Sequence, residues 1–156
     1  LIVLHSAHYR KVFRRVLDCS GDLKGGWRED EQPEILRVCA PEHPIAAGVA
    51  DFTLETEEMY GAPFAVPPAE CLVFQSYFPA GGEFFPSGLA WSTGQGITPD
   101  FRSGPGGGVG QGQGKGRVFY FRPGHETCPS YQHPMVRRIL LNAVYWAAHC
   151  ELPAGS

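Results

Sequence analysis

Three clusters of titratable side chains stand out along the chain: His5-Ser6-Ala7-His8, Glu57-Glu58-Met59-Tyr60 and Gly124-His125-Glu126. Each lies just beyond a stretch that reads as a strand. Imidazoles and carboxylates in this number are the donor set of a zinc or other transition-metal site, and equally of an acid/base site. On this reading His5, His8 and His125 supply or support a divalent metal, and Glu58 or Glu126 moves a proton. His125-Glu126 is the sharpest case, because Gly124 permits a tight backbone and Pro123 and Pro129 stiffen the loop. Each cluster also has a plain structural reading. His5 can be a satisfied buried histidine, His8 a partly exposed residue on a helical turn, and Glu57-Glu58 a solvated pair. Ser6 offers a hydroxyl nucleophile with His8 or His125 as base, although its surroundings lack the G-x-S-x-G pattern. The turn at His5-Ser6-Ala7 holds no cysteine, so cysteine-based glutamine hydrolysis there is excluded. Trp27, Tyr60, Tyr77, Trp91 and Tyr131 could form a sugar platform, with core packing the default for most. His43 reads as a structural turn residue. His133 reads as a helix cap, with a substrate contact as the second reading.

The elements that must position these residues follow from periodicity. Residues 1–4 form a continuous apolar strand, and residues 9–17 read as a helix with Val12, Phe13, Val16 and Leu17 on one face. Gly25-Gly26 marks a loop that carries Trp27, Arg28 and Glu29. Residues 35–39, 52–56, 71–78 and 117–121 read as strands, the third apolar enough to be buried. Pro134 opens the clearest helix, with Val136, Ile139, Leu140, Ala143, Val144 and Ala147 at helical spacing. Strand–turn–helix at the start and strand–loop–helix at the end predict a three-layer α/β domain with a mostly parallel sheet. Ligands of such sheets bind at the carboxyl ends of the strands, where the first and last clusters would meet. Residues 92–116 are dominated by glycine and read as a flexible insertion. Those glycines do not join a strand to a helix, so a phosphate cradle is a weak reading.

The 156 residues suit one domain, and 43% hydrophobic with 19% charged residues allows an ordinary core. A net charge of -3 gives no electrostatic reason to expect nucleic acid or an anionic membrane as partner. No apolar run approaches the roughly 18 residues that span a bilayer, and no secretory leader is visible. The chain opens at Leu1 with a strand already under way, and is read as the C-terminal portion of a longer domain. Five widely spaced cysteines without a C-x-x-C pair argue against a disulfide framework or zinc knuckle. They fit a reducing cytoplasm, with most of them buried as small hydrophobes. A homo-oligomer is left open.

Six motifs in order carry a resemblance. They are Leu4-His5-Ser6-Ala7-His8, Trp27-Arg28-Glu29, His43-Pro44-Ile45-Ala46 with Gly48, Glu57-Glu58-Met59-Tyr60-Gly61, Gly81-Gly82-Glu83, and Phe119-Tyr120-Phe121-Arg122-Pro123-Gly124-His125-Glu126. The chain resembles the ThuA-like trehalose-utilisation family over nearly its whole length apart from the glycine-rich stretch. The resemblance implies a flavodoxin-like fold of the class I glutamine-amidotransferase-like superfamily, with part of the sheet preceding Leu1. It implies catabolism of trehalose and related disaccharides, action on keto sugars beside a sugar oxidoreductase, and a bound zinc or similar divalent ion. Trp27, Arg28, Glu57, Tyr60, Tyr131 and His133 are the expected sugar contacts. Pro86, Cys128 and the Tyr131-Gln132-His133 run depart from the usual family pattern.

Overall fold

A six-stranded mixed sheet organises the chain, with the order β1-β8-β5-β4-β2-β3. The computed structural model describes residues 1–93, 96–99, 109–112 and 116–151. In chain order the strands are β1 (Ile2–Leu4), β2 (Trp27–Val38), β3 (Phe52–Tyr60), β4 (Cys71–Phe78), β5 (Glu83–Thr93), β6 (Gly96–Pro99), β7 (Val109–Gly112) and β8 (Gly116–Phe121). The helices are α1 (Lys11–Leu17) and α2 (Pro134–Ala147), with 3-10 turns at His5–Tyr9, Pro44–Ala46 and Ser130–Gln132.

The expected mostly parallel, three-layer flavodoxin-like or amidotransferase-like sheet is not what the chain adopts. In this sheet only β1 and β8 pair in parallel, and the other pairings are antiparallel. The physical reason lies in the connections. Parallel neighbours need a crossover of a dozen or more residues, usually a helix. Between β2 and β8 the described residues hold no α-helix, and β4 turns into β5 across residues 79–82. The apolar runs of β4 and β8 suggest parallel strands because both faces are covered. Here they are covered by one helix on one side and by α1 with a loop on the other.

On the first side, Val136, Ile139 and Ala143 of α2 pack with Leu36, Phe74, Phe119 and Phe121. On the second, Phe13 of α1 and Phe64 of the loop after β3 pack with Phe78, Phe85, Trp91 and Tyr120. The alternation of β8 feeds both, as successive side chains of a strand must. On α1 only Phe13 is buried, whereas Val12 and Val16 are exposed. The helix expected from residue 9 begins at Lys11, and residues 5–9 form a 3-10 turn.

The sheet curls into a half-barrel. β1 and β3 are five strand spacings apart in its order. In a flat sheet that would be about 24 Å. Yet His5, directly after β1, lies 3.1 Å from Glu58 of β3.

The glycine-rich stretch opens with the last residues of β5 and closes with the first of β8, and β6 pairs with β7 antiparallel inside it. The flexibility expected there otherwise falls on residues outside those described. Among the described residues, no helix is long and apolar enough to cross a membrane. All five cysteines are free, with Cys39 and Cys150 exposed and the others half-buried. They are not the buried hydrophobes the composition suggested.

Candidate functional site

The ends of β1, β3 and β8 and the start of β2 surround a cleft of about 300 Å³. His5, Glu58, Tyr60 and His125 form its inner part, and Trp27, Glu29 and Glu126 stand around them. Trp27 and Glu29 were expected on a loop. They belong to β2, which extends from Trp27 rather than residue 35. Glu57, Glu58, Met59 and Tyr60 are likewise the last four residues of β3, all buried, rather than a solvated segment beyond it.

His5 sits in the left-handed region at φ 48°, uncommon for a residue with a side chain. Its Nδ1 lies 3.0 Å from the carbonyl oxygen of Arg122. A carbonyl only accepts, so Nδ1 carries the proton. In the neutral ring Nε2 then presents a lone pair, 3.2 Å from Tyr60 Oη and 3.1 Å from Glu58 Oε2. A lone pair and a carboxylate oxygen repel at that distance unless a proton or a cation joins them. The His5 and His125 rings meet edge-on, 5.5 Å apart. His125 Nδ1 is 2.9 Å from Thr127 Oγ1. Its Nε2 faces Glu126 Oε2 at 3.6 Å and Glu29 Oε1 at 3.9 Å.

Two donor sets result, each with its ligand atoms within 4.8 Å of one another: His5, His125 and Glu126, and Glu29, Glu58 and His125. Behind Nδ1, His5 has the Arg122 carbonyl, the arrangement that orients histidine ligands in metal sites, and His125 has Thr127, whose Oγ1 lies at 2.9 Å and whose backbone N–H donates at 3.4 Å. Burial, and then the Glu58 charge, push the Tyr60 hydroxyl above its ordinary range, so it stays protonated. The Glu126 carboxyl is held below its ordinary value by its own backbone N–H and by His125. Its side chain is 82% exposed.

The ThuA family, described as trehalose utilisation, has a sequence model that matches residues 1–147. The chain belongs to the ThuA family. That span runs from β1 through α2 and takes in all three clusters. No curated protein matches the chain. Membership associates this ThuA chain with trehalose utilisation, and so with sugar catabolism.

Of the remaining expected residues of this ThuA chain, Ser6 lines the same cleft and the others stand outside it. His8 is fully buried among Tyr9, Tyr60, Phe64 and Tyr120, and its Nδ1 donates to the His5 carbonyl at 2.8 Å. It belongs to neither donor set. Ser6 is exposed and lines the cleft, and no imidazole hydrogen-bonds it among the described contacts. Arg28 is engaged by Glu83, at 2.7 Å, and by Asp30, and does not line the cleft. Glu57 is buried, and both its oxygens accept hydrogen bonds from within the protein. Tyr131 packs its hydroxyl end against Gly124 and fills the space that a side chain there would need. His133 caps α2 by accepting from the Met135 N–H at 3.2 Å and stacks on Phe52, with ring centroids 4.6 Å apart. It lines a separate cleft along β3.

Glu29, Tyr9 and Glu34 were missed. Glu29 shares the two-residue alternation of a strand with Trp27, which is the signal that could have found it. Tyr9 lines the cleft beside the first cluster. Glu34 is fully buried, and burial pushes its carboxyl up further than the Arg122 charge pulls it down. Nothing in its local sequence marks that role.

Proposed function

We propose that this ThuA chain is a metal-assisted enzyme of sugar catabolism that removes a proton beside the carbonyl of a keto-disaccharide derived from trehalose. The observation that carries the reading is the convergence of the His5 and His125 Nε2 atoms on carboxylates while each Nδ1 is tied behind. Two imidazoles and a carboxylate with an open side fit a catalytic zinc or similar ion. His5, His125 and Glu126 would hold it, with Glu29 alongside. A divalent ion there would supply Lewis-acid polarisation of the sugar carbonyl.

Glu58 stands on the inner wall and takes the proton from the neighbouring carbon, while Glu126 stands at the open rim. Tyr60, kept protonated, donates to a sugar oxygen. Trp27 is 60% exposed and offers an aromatic face to a sugar ring. About 300 Å³ is at the small end of ligand sites, so one ring would enter and the other would remain at the mouth. Isomerisation, epimerisation and elimination of the glycosidic group all begin with this abstraction. A sugar oxidoreductase that makes the keto sugar is the matching functional partner, and the cytoplasm is the matching compartment.

The test is incubation of the zinc- or manganese-loaded protein with 3-keto-trehalose in D₂O, followed by NMR. Deuterium is expected beside the carbonyl. His125→Ala should lose metal while remaining folded, and Glu58→Gln should keep metal and lose about 10²–10⁴-fold in turnover. Full metal occupancy and activity in His125→Ala would overturn the reading. Binding of the keto sugar without change, with each divalent ion tried, would instead make this a non-catalytic sugar-binding protein. Labelling by a serine-directed probe that is lost in Ser6→Ala would make it a hydrolase.

A further inference from the structure

Behind the cleft lies a buried cluster of charge that the proposed reaction does not use. Arg122, directly after β8, has no exposed surface. Its Nη2 pairs with Glu34 of β2, and its Nη1 donates to Glu57 Oε2 at 3.2 Å and to the Glu58 carbonyl at 2.6 Å. Its own carbonyl accepts from His5 Nδ1 at 3.0 Å. Glu57 completes the set. Its Oε1 accepts from the Gly124 N–H at 2.8 Å and from Ser130 Oγ, and its Oε2 also accepts from the Glu58 N–H at 3.1 Å. Each of the three groups that matter in the cleft is therefore tied to this pair. His5 is held through the Arg122 carbonyl, Glu58 through its own backbone N–H and carbonyl, and His125 through the amide of the glycine before it.

We infer that Glu57 is a positioning residue of the site: together with Arg122 it sets where His5, Glu58 and His125 stand relative to one another. The inference rests on the metal reading proposed above. A salt bridge kept only for stability has no need to be buried, because the desolvation of two charges offsets most of their attraction. This one joins the ends of strands that are not neighbours in the sheet, at the place where the sheet closes on itself. The chemistry of Glu57 is specific. Four donors converge on its two oxygens, and only a carboxylate can accept from all of them. Glutamine has the same shape but turns an NH₂ group toward two of the four donors. One side of the junction must then let go, either at Gly124 and Ser130 or at Arg122 and the Glu58 amide.

The experiment compares zinc affinity of wild type, Glu57→Gln and Asn142→Ala by chelator competition, with melting temperatures recorded in parallel. Asn142 is a buried residue of α2 and donates to the Ile45 and Ala47 carbonyls, away from the cleft. Its variant is the control for lost stability. Glu57→Gln is expected to raise the zinc Kd about 10–100-fold, the usual effect of losing an outer partner of a metal ligand. Asn142→Ala should lower the melting temperature and leave the Kd unchanged. A Glu57→Gln protein that melts earlier but binds zinc as wild type does would overturn the inference and leave the metal reading standing. Absence of zinc binding by the wild-type protein would overturn both. If Glu57→Gln does not fold, Ser130→Ala removes one donor from Glu57 Oε1 and should raise the Kd severalfold. An unchanged Kd in that variant would equally overturn the positioning role.

Discussion

His8 and His5 lie three residues apart, and burial gives them opposite roles. His8 Nε2 has no hydrogen-bond partner among the described residues, and its ring is enclosed by aromatic side chains. Burial lowers its pKa from the ordinary 6.5, so the folded ring is neutral. The unfolded chain then binds a proton below about 6.5 that the folded chain refuses, and stability falls as pH drops through that value. His43 works in the same direction through burial and the Arg117 charge. The raised carboxyl of Glu34 works in the opposite direction. Comparing wild type with His8→Phe cancels both. The melting temperature of the variant should fall less steeply between pH 7 and pH 5. Identical slopes would mean that His8 takes up its proton without opening the fold.

Among the elements, α2 and β2 show how local chemistry decides which side chains reach the cleft. α2 begins at Pro134, and His133 supplies the acceptor that a serine or aspartate more often provides. With Nδ1 accepting from the Met135 N–H and the ring stacked on Phe52, His133 serves the helix. His133→Ala should therefore cost about 1 kcal/mol of stability in chemical denaturation. It should leave the KM for the keto sugar unchanged, and a raised KM at unchanged stability would return His133 to the substrate. In β2 the register with β3 slips between Arg28 and Gln32, so residues 29–31 stand opposite Glu58 alone. Glu31 takes a positive φ of 51° in this bulge. Bulges re-aim side chains beside active sites. This one brings Glu29 to the same cleft as Glu58.

For the molecule as a whole, stability is distributed by the strand order. β8 is paired on both sides, by β1 and β5, and Val118 to Phe121 are buried on both faces. β3 is an edge strand with alternating exposure over residues 52–56. Native-state hydrogen exchange should therefore be slowest at Phe119–Phe121 and markedly faster at the β3 amides that point away from β2. Equal protection along both strands would indicate a further strand or subunit covering the β3 edge in solution. The closure of the half-barrel places the site. His5, Arg122 and Glu57 come from the ends of β1, β8 and β3, and they touch because the sheet curls.

Several features were determined by the sequence alone. The family was legible from six ordered motifs and is the one whose model spans residues 1–147. The 134–147 helix was legible from its apolar spacing, because helical periodicity is local. The meeting of His5 with His125 followed from two short segments that each end a strand. What the tertiary structure decided is what depends on distant partners. Strand direction rests on pairings between residues far apart in the chain, and an apolar run does not reveal its neighbour's direction. Glu57 and Glu58 are adjacent and both buried, yet one is consumed by Arg122, Gly124 and Ser130 while the other faces the cleft. Only the three-dimensional closure of the sheet separates them, because a carboxylate's role is set by the donors that surround it, and here most of those donors lie more than sixty residues away.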